Sequence, residues 1–549
     1  KRIDFILTGQ SPDKKDHAVL IELKQWSEAQ LSDKDGIVTT GFFGEVSHPS
    51  YQVWSYAALL EGFNETVYNE RIQLKPCAYL HNYIEDKVIK NDFYADYLQK
   101  APVFLEGDSE KEKLQEFIKR FVKYGDKTKI IYRINRRKIK PSKSLADSLA
   151  KMLKGNQEFV MIDDQKVVYE NILASAKRAT GNEKRVLIIE GGPGTGKSVV
   201  AINALVALTK IGLNTQYVTK NAAPRAVYES MLTGTLRRTE IGNLFSGSGS
   251  YIDLEKSVFD TLIVDEAHRL NEKSGMFKNL GENQIKEIIE ASKCAVFFID
   301  EDQKVTWHDV GTTDEIENWA KKSGASIQRL KLSSQFRCNG SDGYLAWLDD
   351  VLQIRETANN RLDTGEYDLD VVDSPVELRD WVLEKNKEKN KARLVAGYCW
   401  DWVSKKTKGV YDIQFPDFGF GMRWNLATDG NLWILGTESV NEAGCIHTCQ
   451  GLEVDYIGVI VGPDLIVRNG MVITQPDQRA KTDASLKGFK QQYNANQKEA
   501  LKKADAIIKN TYRTLLTRGM KGCRVFCADE ETREFLRSRI GFVRKTEGG

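Results

Sequence analysis

One stretch restricts the fold more than any other: VLIIEGGPGTGKSVVAINAL, residues 186–205. The run from Val186 to Ile189 is apolar and β-branched and reads as a buried strand. It stops at a glycine-rich turn that opens directly into a helical pattern. Gly191, Gly196, Lys197 and Ser198 match G-x-x-x-x-G-K-[ST], with Gly192, Gly194 and Thr195 inside the turn. Side chains on such a loop would block a polyphosphate, whereas glycines let successive backbone N–H groups point inward at it. The helix that follows adds the positive end of its dipole. Lys197 is then expected at the β and γ phosphates, and the Ser198 hydroxyl on Mg²⁺.

The chain around this loop has 549 residues, more than one core can use, which leads to an expectation of roughly three to four domains of ~150 residues. Hydrophobic residues at 41% and charged residues at 28% exclude a disordered or collagen-like chain. A net charge of +2 creates no global field, so a polyanionic partner has to be held by local patches. The eight cysteines include no C-x-x-C pair, which argues against a zinc ribbon or a thioredoxin-type site. Scattered thiols fit a reducing cytoplasm. No run of about 18 apolar residues is present, so no membrane-spanning helix is expected. The first residue is Lys1 and not Met, and missing N-terminal residues are expected from that.

A second chemical signal lies in residues 1–30. RIDFIL is expected as a strand carrying Asp4, and HAVLIELKQW as another, on which Glu22 and Lys24 share a face because they are two apart. Two readings stand for Asp4, Glu22 and Lys24. They are either two carboxylates that hold Mg²⁺ with an ammonium that orients an attacking water, or an ordinary solvated face. HPSYQVWSYAALL follows, a Pro-containing turn and an apolar helix with Gln52 and Tyr56 four apart on one side.

Over about the first 60 residues these features resemble the PD-(D/E)xK nucleases, in the branch with a Q-x-x-x-Y helix. The resemblance implies a DNA-cleaving fold dependent on Mg²⁺ or Mn²⁺. In it Asp4 and Glu22 are metal ligands, Lys24 is the catalytic lysine, and Gln52 and Tyr56 support the site. Such folds place a helix before the Asp strand, and here nothing precedes Lys1. His17, His48 and Cys77 lack ligand-like spacing and are expected to be structural. KIIYRINRRKIKPSKS, residues 129–144, gathers Lys and Arg around Tyr132. It reads equally as a phosphate-gripping, base-stacking run and as a solvated linker at a boundary.

FVMIDDQKVVYENILASA is expected as an amphipathic helix with Asp163 and Asp164 as caps. TLIVDEAHRL is a second buried strand. It ends in Asp265, placed to hold Mg²⁺ through its waters, and Glu266, placed to polarise the water that attacks the γ phosphate. AVFFIDEDQKVT gives a third strand, ending at Asp300 with Gln303 three residues on. TQYVTKNAAPRAV runs into Thr219, Lys220 and Asn221, read either as a contact to a single strand or as a strand-to-helix turn. Strands alternating with helices from 186 to 330 imply a parallel sheet.

Beyond that the pattern repeats without a second phosphate loop. LKLSSQFRCNG offers Arg337, and YRTLLTRGMKG offers Arg513 and Arg518, guanidiniums suited to bracing a γ phosphate. Between them IHTCQGLEVDYIGVIVG places Thr448, Gln450, Gly451 and Glu453 before an apolar strand. EKNKEKNK, residues 384–391, reads as a polar loop, residues 471–505 as a mobile Gln- and Lys-rich stretch, and DGNLWILG as a hairpin strand. The pairs Cys445 with Cys449 and Cys523 with Cys527 are expected to be buried packing.

The elements at 165, 191, 265, 300, 337, 448–453 and 518 fall in the order of superfamily 1 helicases. From about residue 160 to 545 the chain resembles the DUF2075 group, which is akin to the Schlafen helicase-like domain. On that resemblance Gln165, 26 residues before Gly191, reads adenine, and Gln303 senses the γ phosphate. Arg337 and Arg518 arrive from the far side, and Glu453 belongs to the nucleotide site. Only 68 residues separate Lys197 from Asp265 and 111 separate Arg337 from Thr448, so the motor is expected to be minimal.

The expected fold is α/β: a small mixed-sheet PD-(D/E)xK domain over 1–145, then two RecA-like domains with parallel sheets over 146–326 and 327–549. The expected function is an ATP-dependent DNA translocase or helicase coupled to a nuclease. Its partner is DNA, single-stranded or with single-stranded ends, and a DNA-bound protein of the target is admitted as a further one. Resemblance to bacterial nuclease–helicase immunity proteins implies phage DNA as the target. Two alternatives stand beside it: an ATP-driven switch with an inert nuclease fold, and an RNA-directed Schlafen-like enzyme.

Overall fold

Strand β2, Asp16–Lys24, is buried from His17 through Glu22, on both of its faces. A half-exposed strand would alternate, so both sides of this sheet must be covered. Helix α1, Pro49–Phe63, packs Val53 and Ala57 on the side of Ala18 and Leu20. Phe117 and Phe121 of the helix Asp108–Phe121 cover Val19 and Ile21 on the other side. The computed structural model describes residues 3–84, 86–135, 145–154, 159–233, 235–275, 279–334, 342–363, 367–407, 409–425, 430–449 and 453–541.

The chain divides into two units. The first comprises Lys1–Arg178, Ser198–Lys210 and Lys331–Ser334, and the second the remainder. In the first, β1 (Phe5–Gln10) runs antiparallel to β2, while β3 (Gln73–Leu80) runs parallel to it after the α1 crossover. With β4 (Val103–Phe104) and β5 (Tyr124–Gly125) the order is β4-β3-β2-β1-β5. This is the mixed sheet expected from the sequence, with one correction: Asp4 precedes β1 and is exposed. Its carboxylate accepts the Leu23 amide at 2.9 Å, so it closes the end of the β1–β2 ladder.

Helix α2, Asp163–Arg178, is fastened to the same unit by charge and hydrogen bonds. Lys166 pairs with Asp35 at 2.7 Å and Glu170 at 2.8 Å, and Lys34 donates to Asn171 at 2.9 Å. Asp163 and Asp164 form its first turn, and their carboxylates take tertiary partners: one receives Tyr56, the other Ser333 and Ser334. The basic run splits: Ile130–Asn135 is a helix in which Arg133 pairs with Asp16 at 2.6 Å, and 136–144 lie outside the described residues.

The second unit holds two parallel sheets. The first contains β6 (Arg185–Gly191), β7 (Thr215–Thr219), β8 (Phe245–Gly247), β9 (Phe259–Val264), β10 (Ser292–Ile299) and β11 (Ser326–Leu332) in the order β8-β7-β9-β10-β6-β11. The second contains β12 (Asp368–Val371), β13 (Ala392–Ala396), β14 (Ile413–Phe415), β15 (Phe420–Trp424), β16 (Glu442–Gly444), β17 (Val454–Val461) and β18 (Gly519–Cys527). Their order is β12-β18-β17-β13-β16-β15-β14, parallel but for the β14–β15 edge.

Three expectations for this second sheet give way. Residues 384–389 are helical, because Lys and Glu are good helix formers and Pro375–Lys389 is capped by Ser374 and stopped by Asn390 in the left-handed region. Gly430–Leu435 is a short 3₁₀ helix and not a strand, because buried Arg393 takes the carbonyls of Ile434 at 2.8 Å and Gly436 at 2.7 Å. Residues 471–505 are built into a hairpin closed by Asn469-Gly470 and two helices, Phe489–Ala495 and α4, Gln497–Leu516. Cys445, Cys449, Cys523 and Cys527 are buried as expected.

Arg513 of α4 is also buried, and its Nε lies 2.5 Å from Asp349, which excludes it from bracing a phosphate. Removing the carboxylate would strand the guanidinium in an apolar setting. Asp349→Ala should therefore cost roughly 3–5 kcal/mol, read as a lowered urea midpoint.

Candidate functional site

The glycine-rich loop follows β6, and Gly194 (φ 75°) and Gly196 (φ 85°) hold backbone angles that side chains resist. Lys197 begins helix α3, Lys197–Lys210. Its ammonium curls back over the loop and donates to the carbonyls of Gly191 at 2.6 Å and Gly192 at 2.9 Å. Thr195 Oγ1 also donates to Gly192, at 3.0 Å. Lys197 stands 3.9 Å from Asp300, which follows β10, the strand between β6 and β9.

Asp265 leaves the end of β9 with both oxygens committed. Tyr217 of β7 donates to one at 2.6 Å, and the Glu266 amide to the other at 2.9 Å. Glu266 is buried and its backbone is left-handed (φ 56°), unusual for a glutamate. Its Oε2 has no hydrogen-bond partner. Burial and the charge of Asp265 push its carboxyl above the ordinary range, opposed by Arg518, Arg269 and Lys197. Such a buried, perturbed and unsatisfied carboxylate is suited to taking a proton.

Gln303 donates to Asp300 at 2.6 Å, while its amide oxygen accepts Arg518 Nη2 at 3.3 Å. Arg518 follows α4 and is buried, so within the second unit the lobe built on the β12–β18 sheet, the second lobe, presents a guanidinium to the lobe built on the β6–β11 sheet, the first lobe, beside the acidic pair. Arg337, Gln450 and Gly451 lie outside the described residues. Glu453 is exposed, and its charge reaches Tyr228. Ser198 and Gln165 belong to the first unit, where the Ile162 amide donates to Gln165 at 3.3 Å. Of the strand-contact candidates, Lys220 pairs with Asp309 at 3.0 Å and Asn221 caps the helix Ala222–Leu232, so both hold the loop together.

Three elements escape a motif reading. His268 is buried, and burial holds its pKa well below the ordinary value; the Asp300 amide donates to its Nδ1 at 3.3 Å. Its position two residues after Glu266 was the available signal. Asp309 collects Lys220 and Arg269, each at 3.0 Å, and these keep it ionised. An open pocket of about 600 Å³ is lined by Lys273, Trp307, His308, Gln491, Gln492 and Lys503. Lys503 sits 4.7 Å from the Trp307 ring centre.

The first unit brings together the other predicted set. Glu22 and Lys24 face α1, with the ammonium 2.7 Å from Glu22 Oε1. Glu22 is 4% exposed, and its Oε2 has no hydrogen-bond partner. Burial pushes its carboxyl up to about 7 against the pull of Lys24, with Asp4 and Asp163 adding to the rise. Gln52 Nε2 donates to the Tyr56 hydroxyl at 3.0 Å. His48 bonds the Ile89 carbonyl at 2.9 Å and stacks on Tyr94, a structural role as expected. Among the described residues no three His, Cys, Asp or Glu side chains stand close enough to share a metal ion. The orphaned Glu22 oxygen and the excess of carboxylates over ammonium fit a hard divalent cation.

A phosphate loop, a buried Asp-Glu pair on the next strand but one, and a guanidinium from a second lobe define a helicase-like ATPase domain. The chain belongs to the family described as Schlafen group 3, DNA/RNA helicase domain, which it matches over residues 184–529. A relative in Saccharomyces cerevisiae, the uncharacterized protein YPL245W, is 24% identical over 390 residues, 64% of this chain and 83% of its own length. Among solved structures, a DEAD box protein from Methanococcus jannaschii is 12% identical with a TM-score of 0.26, over 68% of this chain and 88% of that one. Domain III of the Thermotoga maritima replication initiation protein DnaA is 19% identical with a TM-score of 0.19, over 34% and 68%. Likenesses this faint carry no functional weight.

Two outcomes are expected of these sites. Glu266→Gln keeps the shape but removes the base, so nucleotide binding persists while ATP turnover falls about 10²–10⁴-fold in a phosphate-release assay. Glu22 gives a stability signature. Its folded carboxyl is raised from the ordinary 4.5 to about 7, so the fold gains from the protonated form at low pH and loses that gain as pH rises through about 7. In metal-free buffer Glu22→Gln should therefore match the wild type at pH 4 to 5 and unfold later at pH 8, by on the order of 1–3 kcal/mol.

Proposed function

We propose that this chain is an ATP-driven translocase or helicase on DNA, joined to a Mg²⁺- or Mn²⁺-dependent nuclease in the N-terminal unit. The observation that carries the motor half is Arg518 of the second lobe hydrogen-bonded to Gln303 and bearing on Glu266. A γ phosphate near Lys197 would then be read by both lobes at once. Hydrolysis would change what each lobe holds, and lobes that open and close on a strand advance along it. Glu266 would take the proton of the attacking water, Gln303 would carry the state of the γ phosphate to Arg518, and Arg518 would steady the charge that develops. Asp265, through waters, and the Ser198 hydroxyl would hold Mg²⁺, which would neutralise phosphate charge when bound. Arg337 is proposed as a second guanidinium, Gln165 as the adenine contact, and Glu453 as part of the same nucleotide site.

The open pocket around Trp307 supports the nucleic-acid half of the reading. Its Lys273, Lys503, His308 and glutamines suit phosphates and base edges and leave sequence unread. In the N-terminal unit the Glu22 and Lys24 pair beside Gln52 and Tyr56 supports cutting. Asp4 and Glu22 would hold the metal, which activates water when bound, while Lys24 would orient that water and steady the developing charge. Destruction of phage DNA, a DNA-bound protein of the target and a cytoplasmic setting complete the proposal.

Labelled single- and double-stranded DNA and RNA, incubated with the protein, each metal and ATP, test the reading. ATP hydrolysis accelerated by DNA supports a motor, and a rate indifferent to nucleic acid returns the chain to the switch class. Preferential RNA cleavage transfers it to the RNA-directed class. Lys24→Ala should abolish cutting and leave ATP hydrolysis within twofold of the wild type, and Lys197→Ala should abolish hydrolysis. Cutting that survives Lys24→Ala removes the nuclease half.

A further inference from the structure

The Glu22 pocket has a member that no motif supplies. Tyr56 donates its hydroxyl to the carboxylate of Asp163, the first residue of α2, 107 positions along the chain. Tyr56 in turn accepts Gln52 Nε2 at 3.0 Å, so Asp163, Tyr56 and Gln52 form a chain of directed bonds. Asp163 is buried, and its carbonyl accepts the Ser47 hydroxyl at 3.1 Å. Its backbone is left-handed (φ 37°), a conformation that favours Asn and Asp among side-chain-bearing residues. Its charge reaches Glu22, whose Oε2 is buried without a partner.

We propose that Asp163 is a positioning residue of the Glu22 site: it fixes Tyr56, through Tyr56 the amide of Gln52, and adds negative charge that favours a divalent cation beside Glu22. This deepens the nuclease reading and rests on it. Asp163 is not itself a ligand, since it spends its carboxylate on Tyr56 and no three acidic side chains among the described residues converge on one point. Its part is to hold the orientation of groups around a hard cation, where loss of an outer partner commonly costs 10–100-fold in metal affinity. Asn at position 163 tolerates the same backbone and keeps the size of the side chain while removing the charge, so Asp163→Asn isolates the effect.

The experiment measures Mn²⁺ binding to the nucleotide-free protein by electron paramagnetic resonance, with Glu22→Gln as the blank. In parallel it measures kcat and KM for cutting a labelled DNA oligonucleotide. Asp163→Asn is expected to weaken Glu22-dependent Mn²⁺ binding at least about tenfold and to lower kcat by a similar factor, with KM for DNA within twofold. Tyr56→Phe, which deletes only the hydroxyl, is expected to shift both in the same direction. ATP hydrolysis and the thermal midpoint report on folding; if Asp163→Asn fails them, Tyr56→Phe decides. Wild-type Mn²⁺ affinity and kcat in the variants overturn the proposal. A wild-type protein that neither cuts nor shows Glu22-dependent Mn²⁺ binding overturns the nuclease reading, and this proposal with it.

Discussion

A parallel sheet covered on both faces leaves only its strand ends for chemistry, and the second unit is arranged around that constraint. Pairing of Val264 with Phe297, and of Ile299 with Glu190, brings the ends of β9, β10 and β6 to one edge. Gly191, Asp265 and Asp300 stand there at the ends of apolar runs, Val186–Ile189, Leu262–Val264 and Cys294–Ile299. Lys197 can approach Asp300 only because β10 lies between β6 and β9. The register of three buried strands thus sets the spacing of the nucleotide chemistry.

What the sequence made legible follows from how local each signal is. The phosphate loop, the Asp265-Glu266 pair and Gln303 are short patterns attached to apolar runs, and each was found where the chain turns out of its sheet. The Glu22–Lys24 facing followed from strand periodicity alone. Errors came where a distant partner decided the outcome. Arg393 converted an apparent strand at 430–435 into a 3₁₀ turn, and Asp349 withdrew Arg513 from the site. The bond from Tyr56 to Asp163 is illegible in the sequence because the two residues are 107 positions apart. Asp4 kept its predicted neighbourhood yet left its strand, since a residue at a strand start can close the ladder from outside.

Both candidate sites keep a carboxylate in a costly place. Glu266 sits in a left-handed backbone with an unpartnered oxygen, and Glu22 is buried with only one of its two oxygens satisfied. Burying a charge without full compensation costs several kcal/mol, and the surrounding sheets must supply that from apolar packing. The largely buried strands on either side, β9 with β10 and β2 with β3, contribute to the apolar clusters that supply such packing. Stability is thereby concentrated in sheet interiors, and reactivity is left at their margins.

The seating of α2 has a consequence for anyone dividing this chain into pieces. Tyr51 donates to the Met161 carbonyl at 2.6 Å, Ser47 to the Asp163 carbonyl, and Tyr56 to the Asp163 carboxylate. A fragment that stopped near residue 145 would keep the small mixed sheet yet strip three hydroxyls of their acceptors at once. Such a piece would go looking for substitutes, in water or in another molecule. The seam of this protein is therefore chemical before it is topological: a piece that keeps α2 keeps those three acceptors, yet Asp164 still takes hydrogen bonds from Ser333 and Ser334, far along the chain.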